Sequence, residues 1–436
     1  MSKLPDTRSE SVFDDFKPPL TADAALVEAS RCLFCHDAPC VTACPTGIDI
    51  PQFIRKISTG NVRGSARTIF ASNILGMSCA RVCPVEVLCV GACVYNDKDE
   101  PPIAIGRLQR YATDKAFAEG WSFFSAGADT GRKVALVGGG PASLAAAHEL
   151  RRHGHAVTIF EKREVLGGLN VTGVAPYKMR AEDAAAEVDW VLSIGGVELR
   201  TGVTIGVDET IDGLLSAYDA VFMGMGLGPD SLMDLPGANL AGIEGAVSFI
   251  DRMKTGVVDL SGVRSAVVIG GGNTAVDAVR ELRGLGVERV TMVYRGDEAG
   301  MSGYAHEWKV AKQEGAAAEW RALPVAFEGA AKVRRVRCRR VDAAKQPVPG
   351  SEFTVDADLV LLAIGQSKLG ALLGGVEGVT VERGRVVVDA DGATGNPRLF
   401  AGGDCANGGK EVVNAAAEGK RAATAIHRLL SGSRNG

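Results

Sequence analysis

The stretch Lys133–Ser143, KVALVGGGPAS, decides how the rest of the chain is read. An apolar run, Val134–Val137, leads straight into three glycines, and Pro141 opens an Ala-rich run behind them. This order of strand, glycine turn and helix gives the pattern Gly138-x-Gly140-x-x-Ser143 its meaning as a dinucleotide fingerprint. Gly138 permits the tight turn, and Gly140 lets a pyrophosphate approach the backbone. The helix that Pro141 opens then offers the unpaired N–H groups of Ala142 and the residues after it to the phosphates. Ser143 stands in the place of the third glycine and is small enough to keep helix packed on strand. The next strand is Val157–Glu161 (VTIFE), whose terminal Glu161 is placed to accept from ribose hydroxyls. Gly167 and Gly168, with Leu169, follow as a second point of close approach.

The unit recurs downstream. Ser265–Gly270 (SAVVIG) enters Gly270-x-Gly272-x-x-Ala275, with Asn273 and Thr274 at the start of a helix reaching about Leu282, then Val290–Arg295 (VTMVYR). Aligned on the first unit, Arg295 takes the place of Glu161, where an arginine suits a 2′-phosphate. Asp297 and Glu298 follow at once and repel that phosphate, so NADH is expected and NADPH stays open. No third fingerprint opens after about residue 366. The chain runs through Gly384–Asp389 to Phe400-Ala401-Gly402-Gly403-Asp404 and a final Ala-rich helix, Glu411–Arg428. Gly403 and Asp404 suit the ribityl or pyrophosphate groups of a flavin. The helix start, with Val412 and Asn414, suits the negative side of its reduced ring. The expected fold is α/β, with two Rossmann-like domains: an FAD-binding domain of residues 133–236 and 366–436, and an NAD(P)H-binding domain of 237–365 inserted in it.

Upstream of these units the cysteines crowd together: eight of ten lie between Cys32 and Cys93. They read Cys32-x2-Cys35-x4-Cys40-x3-Cys44-Pro45 and Cys79-x3-Cys83-Pro84-x4-Cys89-x3-Cys93. Short thiolate spacings closed by Cys-Pro suit ferredoxin-type clusters, and eight thiols suffice for two [4Fe-4S] centres. Two zinc sites of four thiolates would need the same count, but zinc carries no electrons. Residues 1–120 are therefore expected to form an α-helical cluster-binding domain, with helices near Pro51–Ile57 and Ala66–Leu75, joined by a linker at 121–132. His36 is expected beside the cluster rather than on it. Cys405 has no C-x-x-C partner and reads as a buried thiol. Cys338, in the basic run Lys332–Arg340, reads as part of a solvated strand edge, and Met301, Tyr304 and Trp308 read as core packing.

Bulk properties set outer limits. The 436 residues are 46% hydrophobic and 23% charged, with a formal net charge of −4, so no positive field recruits nucleic acid or anionic lipid. No apolar run approaches the roughly 20 residues of a membrane span. The polar start MSKLPDTRSE carries no signal segment, so a cytoplasmic protein is expected.

The cysteine block, Ile103–Arg110 (IAIGRLQR), the GGGPAS and GGGNTA turns and the AGGDC…GKEVVNAAAEGK ending together resemble one family across essentially the whole chain. It joins the small subunit of bacterial glutamate synthase to the N-terminal half of dihydropyrimidine dehydrogenase. Ala175–Arg180 (APYKMR) and Gly409–Lys420 look nearest to the flavin subunit of bacterial NAD-dependent dihydropyrimidine dehydrogenase. The resemblance implies one cluster on Cys32, Cys35, Cys40 and Cys93, and a second on Cys44, Cys83, Cys89 and Gln109. Spacing alone would choose Cys79 over Gln109. The resemblance further implies an electron-input subunit that oxidises NAD(P)H through FAD and serves an FMN-containing partner reducing uracil or thymine at the 5,6 bond. Glutamate synthase is the alternative, and a non-catalytic zinc-holding assembly protein is the alternative of another class.

Overall fold

The computed structural model describes residues 4–432 apart from 368 and 374. A helical unit comes first: α1 (Ala22–Ser30), α2 (Pro39–Thr42), α3 (Ile50–Ser58), α4 (Val62–Ser72), α5 (Gly76–Val82) and α6 (Ile105–Ala118). Asp49 and Asn61 set the starts of α3 and α4, their side chains accepting from Gln52 N and Gly64 N. α4 stops short of the expected Leu75 because Asn73 turns the chain, its Oδ1 accepting from Leu75 N.

The first sheet begins with β1 (Lys133–Val137), α7 (Pro141–Arg152), β2 (Ala156–Glu161), α8 (Leu169–Thr172), α9 (Ala181–Leu192), β3 (Val197–Thr201), α10 (Ile211–Ala217) and β4 (Ala220–Met223). The chain then leaves to build β5 (Ile243–Gly245), α11 (Ala246–Thr255), β6 (Ser265–Ile269), α12 (Asn273–Gly284), β7 (Arg289–Tyr294), α13 (Ala305–Gln313), β8 (Ala317–Trp320), β9 (Ala322–Gly329), β10 (Val333–Val341), β11 (Pro347–Asp356) and β12 (Leu359–Leu362). It returns through α14 (Gly370–Leu373), β13 (Val381–Glu382) and β14 (Arg385–Val386) to β15 (Leu399–Ala401), α15 (Asp404–Asn407) and α16 (Val412–Leu430).

Two parallel five-stranded sheets result, in the orders β15-β4-β1-β2-β3 and β5-β12-β6-β7-β8. Strands β1 and β6 are buried along nearly their whole length, as central parallel strands covered on both faces must be. One dinucleotide fold is thus inserted in the other. The outgoing and returning chains run antiparallel where they cross: Ser231 N donates to Gly365 O (2.9 Å), and Ser367 N donates to Pro229 O (2.7 Å).

Two sequence expectations change. The basic run around Cys338 is no edge: β10 is the middle strand of an antiparallel sheet ordered β11-β10-β9, and Cys338 is fully buried. The segment after Glu119 has no regular structure, yet it is packed rather than free. Trp190 Nε1 donates to Trp121 O (3.1 Å), and Phe123 lies against Phe70. One apolar core therefore runs from α3, α4 and α6 into β1 and α7, joining the helical unit to the first sheet.

The residues before α1 tie all three units together. Ser9 N donates to Gly256 O beyond α11, and Ala181 N, at the start of α9, donates to the buried Glu10 carboxylate. Asp15 and Lys17 O hold Arg110 of α6.

Candidate functional site

The first glycine turn can be built only from glycine at Gly138. Its φ is +91°, and a Cβ there would lie 2.7 Å from Gly224 O. Gly167 N donates to Gly139 O (2.8 Å), which brings Gly168 opposite Gly140: a Cβ on Gly168 would stand 3.0 Å from Gly140 Cα and 3.5 Å from Pro141 Cδ. Leu169 is partly exposed beside this contact. Glu161 is buried, and its two oxygens accept from Gly139 N (2.7 Å) and Arg163 N (2.9 Å). It therefore braces the turn, and a carboxylate so used still has acceptor capacity for a ribose. The returning chain closes the cradle. A Cβ on Gly403 would meet Ala142 Cβ at 3.0 Å, and one on Gly419 would meet Ala142 O at 2.0 Å, so α16 lies directly on α7. Asp404 sits in this wall, its carboxyl pushed up by burial. The first turn of α16, with Val412 and Asn414, rises beside it.

Two buried polar atoms in the region, Ser143 Oγ and Asn170 Oδ1, have no hydrogen-bond partner. Orphaned buried acceptors and a cradle that a Cβ would fill are what a bound dinucleotide requires. Sequence reasoning passed over Asn170, although it directly follows the Gly167–Leu169 motif.

The second turn is built alike. A Cβ on Gly270 would lie 2.3 Å from Ala363 O, and Gly272 precedes Asn273 and Thr274 in the first turn of α12. Here the ladder corrects the alignment. Val137 pairs with Phe160 and Ile269 with Val293, so the counterpart of Glu161 is Tyr294, and Arg295 stands one residue beyond. The Tyr294 ring covers the turn, its Cδ2 lying 2.5 Å from where a Cβ on Gly271 would be. Arg295 is exposed and, among the described residues, has no ion pair or hydrogen bond. The acids expected to oppose a phosphate are already engaged: Asp297 pairs with Arg321 (3.0 Å) and Glu298 with Lys312 (2.5 Å).

Between the two cradles runs a polar seam. Lys178 Nζ lies 2.9 Å from both Asp277 and Glu307, and the Tyr177 hydroxyl donates to Asp277 (2.5 Å). Tyr304, expected in the core, is only half-buried, and its hydroxyl donates to Glu411 Oε1 (2.6 Å). Trp308 is buried as expected. Cys405 is buried as well, its thiol donating to Met223 O (3.2 Å).

The thiols fall into two groups. Cys32, Cys35, Cys40 and Cys93 line one cavity of about 30 Å3, walled by Ile50, Ile54, Ile103 and Ile105. Burial pushes the Cys40 thiol up to about 11, with Cys32, Cys93 and Cys35 adding to the shift. Cys83 and Cys89 mark the other group. Cys83 is held well above its ordinary value by its hydrogen bond with Cys79, by burial, and by Cys89 and Cys44. Cys89 is pushed up to about 12 by burial and by Cys44. Thiols that resist ionisation when empty are stabilised as thiolates by the positive charge of bound iron, so this donor set fits such clusters. Gln109 is buried, its Nε2 donating to Gly76 O (2.8 Å). His36 is exposed, its Nδ1 lying 3.2 Å from Asp37 Oδ1. Among the described residues no three His, Cys, Asp or Glu side chains converge on one single-ion site.

The helix α5 that precedes Cys83 is docked on the first dinucleotide unit. Glu187 of α9 is fully buried and accepts from Met77 N (2.9 Å), Ser78 N and Ser78 Oγ, with burial pushing its carboxyl up to about 7. Pro45 and Thr46, beside Cys44, share a cleft with Ala417, Lys420 and Arg421 of α16.

Two dinucleotide folds, one carried inside the other and backed by a thiol-rich helical unit, define a class of flavin- and nicotinamide-binding oxidoreductases. Residues 132–419 match the pyridine nucleotide-disulphide oxidoreductase family, to which the chain belongs, and residues 8–121 match the 4Fe-4S domain II of dihydropyrimidine dehydrogenase. The chain is 36% identical to the NAD-dependent dihydropyrimidine dehydrogenase subunit PreT of Escherichia coli K12, over 97% of this chain and 98% of that one. It is 33% identical to the glutamate synthase [NADPH] small chain of the same organism, over 96% and 94%. Among solved structures, T. acidophilum thioredoxin reductase superposes with a TM-score of 0.55 at 22% identity, covering 68% of this chain and 99% of that one, and supports the fold. No described helix is long and apolar enough to cross a membrane.

Proposed function

We propose that the chain is an electron-input subunit. Residues 133–236 and 366–436 hold FAD, 237–365 hold the reduced nicotinamide nucleotide, and 1–120 hold two [4Fe-4S] clusters. The observation that carries this reading is the juxtaposition of two glycine cradles across one seam, with a thiol-bearing helix docked on the flavin side. A bound flavin would supply hydride acceptance from NAD(P)H and one-electron release, and thiolate-held clusters would supply single-electron conduction. The chain's own contribution is placement. The N-terminus of α7 faces the pyrophosphate, Glu161 fixes the turn, and Asp404 offers a buried acceptor. The N-terminus of α16 favours negative charge on the flavin.

The group containing Cys44, Cys83 and Cys89 adjoins α9 and α16, whereas the group of Cys32, Cys35, Cys40 and Cys93 is walled by helical-unit residues. Clusters held by these residues would supply single-electron carriers, the former group on the flavin side and the latter within the helical unit. Gln109 is the fourth ligand of the nearer cluster. Its amide nitrogen is committed to Gly76 O, leaving its oxygen to ligate.

The nearly full-length similarity to PreT supports an FMN-containing catalytic partner that reduces uracil or thymine. Similarity of comparable coverage to the glutamate synthase small chain supports an amidotransferase partner as the second reading. A reducing cytoplasm, which keeps thiols available for iron, fits either one. With Asp297 and Glu298 neutralised, the objection to a 2′-phosphate falls, and the site accepts NADPH as well as NADH. Anaerobic purification from the native host tests the whole reading. A co-purifying FMN subunit with pyrimidine-dependent NAD(P)H oxidation supports it, a large amidotransferase selects the second reading, and colourless zinc-loaded protein refutes both.

A further inference from the structure

Tyr304 and Glu411 meet where the two cradles face each other. Tyr304 is fixed to the wall of the second cradle: its backbone N–H donates to Asn273 Oδ1 (3.0 Å), and Gly303 N donates to Gly271 O (2.9 Å). Glu411 belongs to the first cradle, at the N-cap of α16. An N-cap side chain that does cap turns back to bond its own helix. Glu411 makes no such bond; its carboxylate reaches across the seam to the Tyr304 hydroxyl instead. Among the described residues, no side chain bonds the first-turn N–H groups of α16. Lys178, Glu307 and Asp277 face the same carboxylate, and burial raises both the Glu411 carboxyl and the Tyr304 hydroxyl. The bond is therefore partly shielded from water, and it joins elements that carry different cofactor sites.

We infer that the Tyr304–Glu411 pair is a removable bar between the two cofactor sites, displaced by the nicotinamide ring of an incoming nucleotide. Tyr304 is a positioning residue in this scheme. This rests on the reading that the cradles hold FAD and NAD(P)H. Part of the intrinsic affinity for the nucleotide is then spent on parting Tyr304 from Glu411. Removing the hydroxyl while keeping the ring tightens nucleotide binding.

The test uses the full chain loaded with FAD and its clusters. Binding of NAD+ and NADP+ is read from the perturbed flavin absorbance, and flavin reduction is followed by anaerobic stopped flow against NADH or NADPH concentration. Tyr304→Phe and Glu411→Ala are expected to lower the Kd of the oxidised nucleotide about threefold to tenfold, the range one hydrogen bond allows. Glu411→Gln keeps an acceptor for Tyr304 and should remain near the unaltered protein, which separates loss of the bond from a folding defect. Unchanged or weaker nucleotide binding in Tyr304→Phe overturns the inference. If neither nucleotide reduces the flavin of the unaltered protein, the functional reading fails and takes the bar with it. Normal reduction with an indifferent Tyr304→Phe variant removes the bar alone.

Discussion

Replacing Arg295 with alanine separates the two nicotinamide nucleotides. The guanidinium is exposed and unpaired among the described residues, so a 2′-phosphate gains its contact without first breaking another. A charge-assisted hydrogen bond is worth about 1.5–3 kcal/mol, and exposure puts this one at the lower end, which is about tenfold in kcat/KM. The neighbouring charges set the balance. Asp297 is neutralised by Arg321 at 3.0 Å and Glu298 by Lys312 at 2.5 Å, so Arg295 acts as the uncompensated charge of the group. Arg295→Ala is therefore expected to lower kcat/KM for NADPH about tenfold and leave NADH within about twofold. Arg321→Ala should also penalise NADPH, by roughly threefold, because it frees the Asp297 carboxylate to repel the phosphate. Both are read from initial rates of flavin reduction with either nucleotide at low ionic strength, and the NADPH effects should shrink as salt is added. Equal losses with both nucleotides on Arg295→Ala would refute the reasoning, since a residue serving the phosphate leaves NADH untouched.

Three further outcomes follow from the same geometry. Gln109→Ala should lose or shift one cluster signal in the electron paramagnetic spectrum and lower bound iron, while Cys79→Ser keeps both clusters; the reverse pattern would make Cys79 the ligand. Gly419→Val should separate α16 from α7, because its Cβ would meet Ala142 O at 2.0 Å, and the purified protein should carry less FAD and melt earlier, at a cost of about 1–3 kcal/mol or more. Burial pushes the Glu187 carboxyl up to about 7 in the folded protein, against its ordinary value of 4.5 in an unfolded chain. Its contribution is complete below the unfolded value and is lost as pH rises through the folded one. At roughly 1.4 kcal/mol per pH unit, the wild type should lose about 3 kcal/mol relative to Glu187→Gln between pH 4.5 and pH 7.5, measured by urea unfolding. A pH-independent difference would refute that protonation.

The parts of the site that could be read from the chain are those whose chemistry is local. Each glycine turn lies within six residues of its strand and helix, so the pattern around Gly138 and Gly270 carries its own context. The partition of the thiols was not local. Cys93 joins Cys32 across the whole helical unit, and only the family resemblance, with its full set of motifs, placed it there. Where the reading of the fold slipped, the cause was again distance along the chain. In β10 (Val333–Val341) the burial pattern lets basic residues occupy the outward positions of a strand paired on both sides, so the run Lys332–Arg340 looked like a solvated edge. Arg295 was set one place too early because a strand's end was matched by its charge rather than by the register of its ladder.

Tyr304 and Glu411 show why the rest was out of reach. They are 107 residues apart, each sits next to an element with an obvious local job, and neither belongs to a motif that names the other. Their contact exists because one dinucleotide fold is inserted in the other and the paired crossing strands at 228–231 and 365–367 bring the two back together. The same holds for Lys178 with Asp277, and for Glu187 with α5. Sequence patterns reveal what each unit binds, while the residues that couple one unit to the next are set by how the units dock. Coupling between the units is therefore to be sought in these seams, at side chains whose partners come from another unit, and not in the fingerprints themselves.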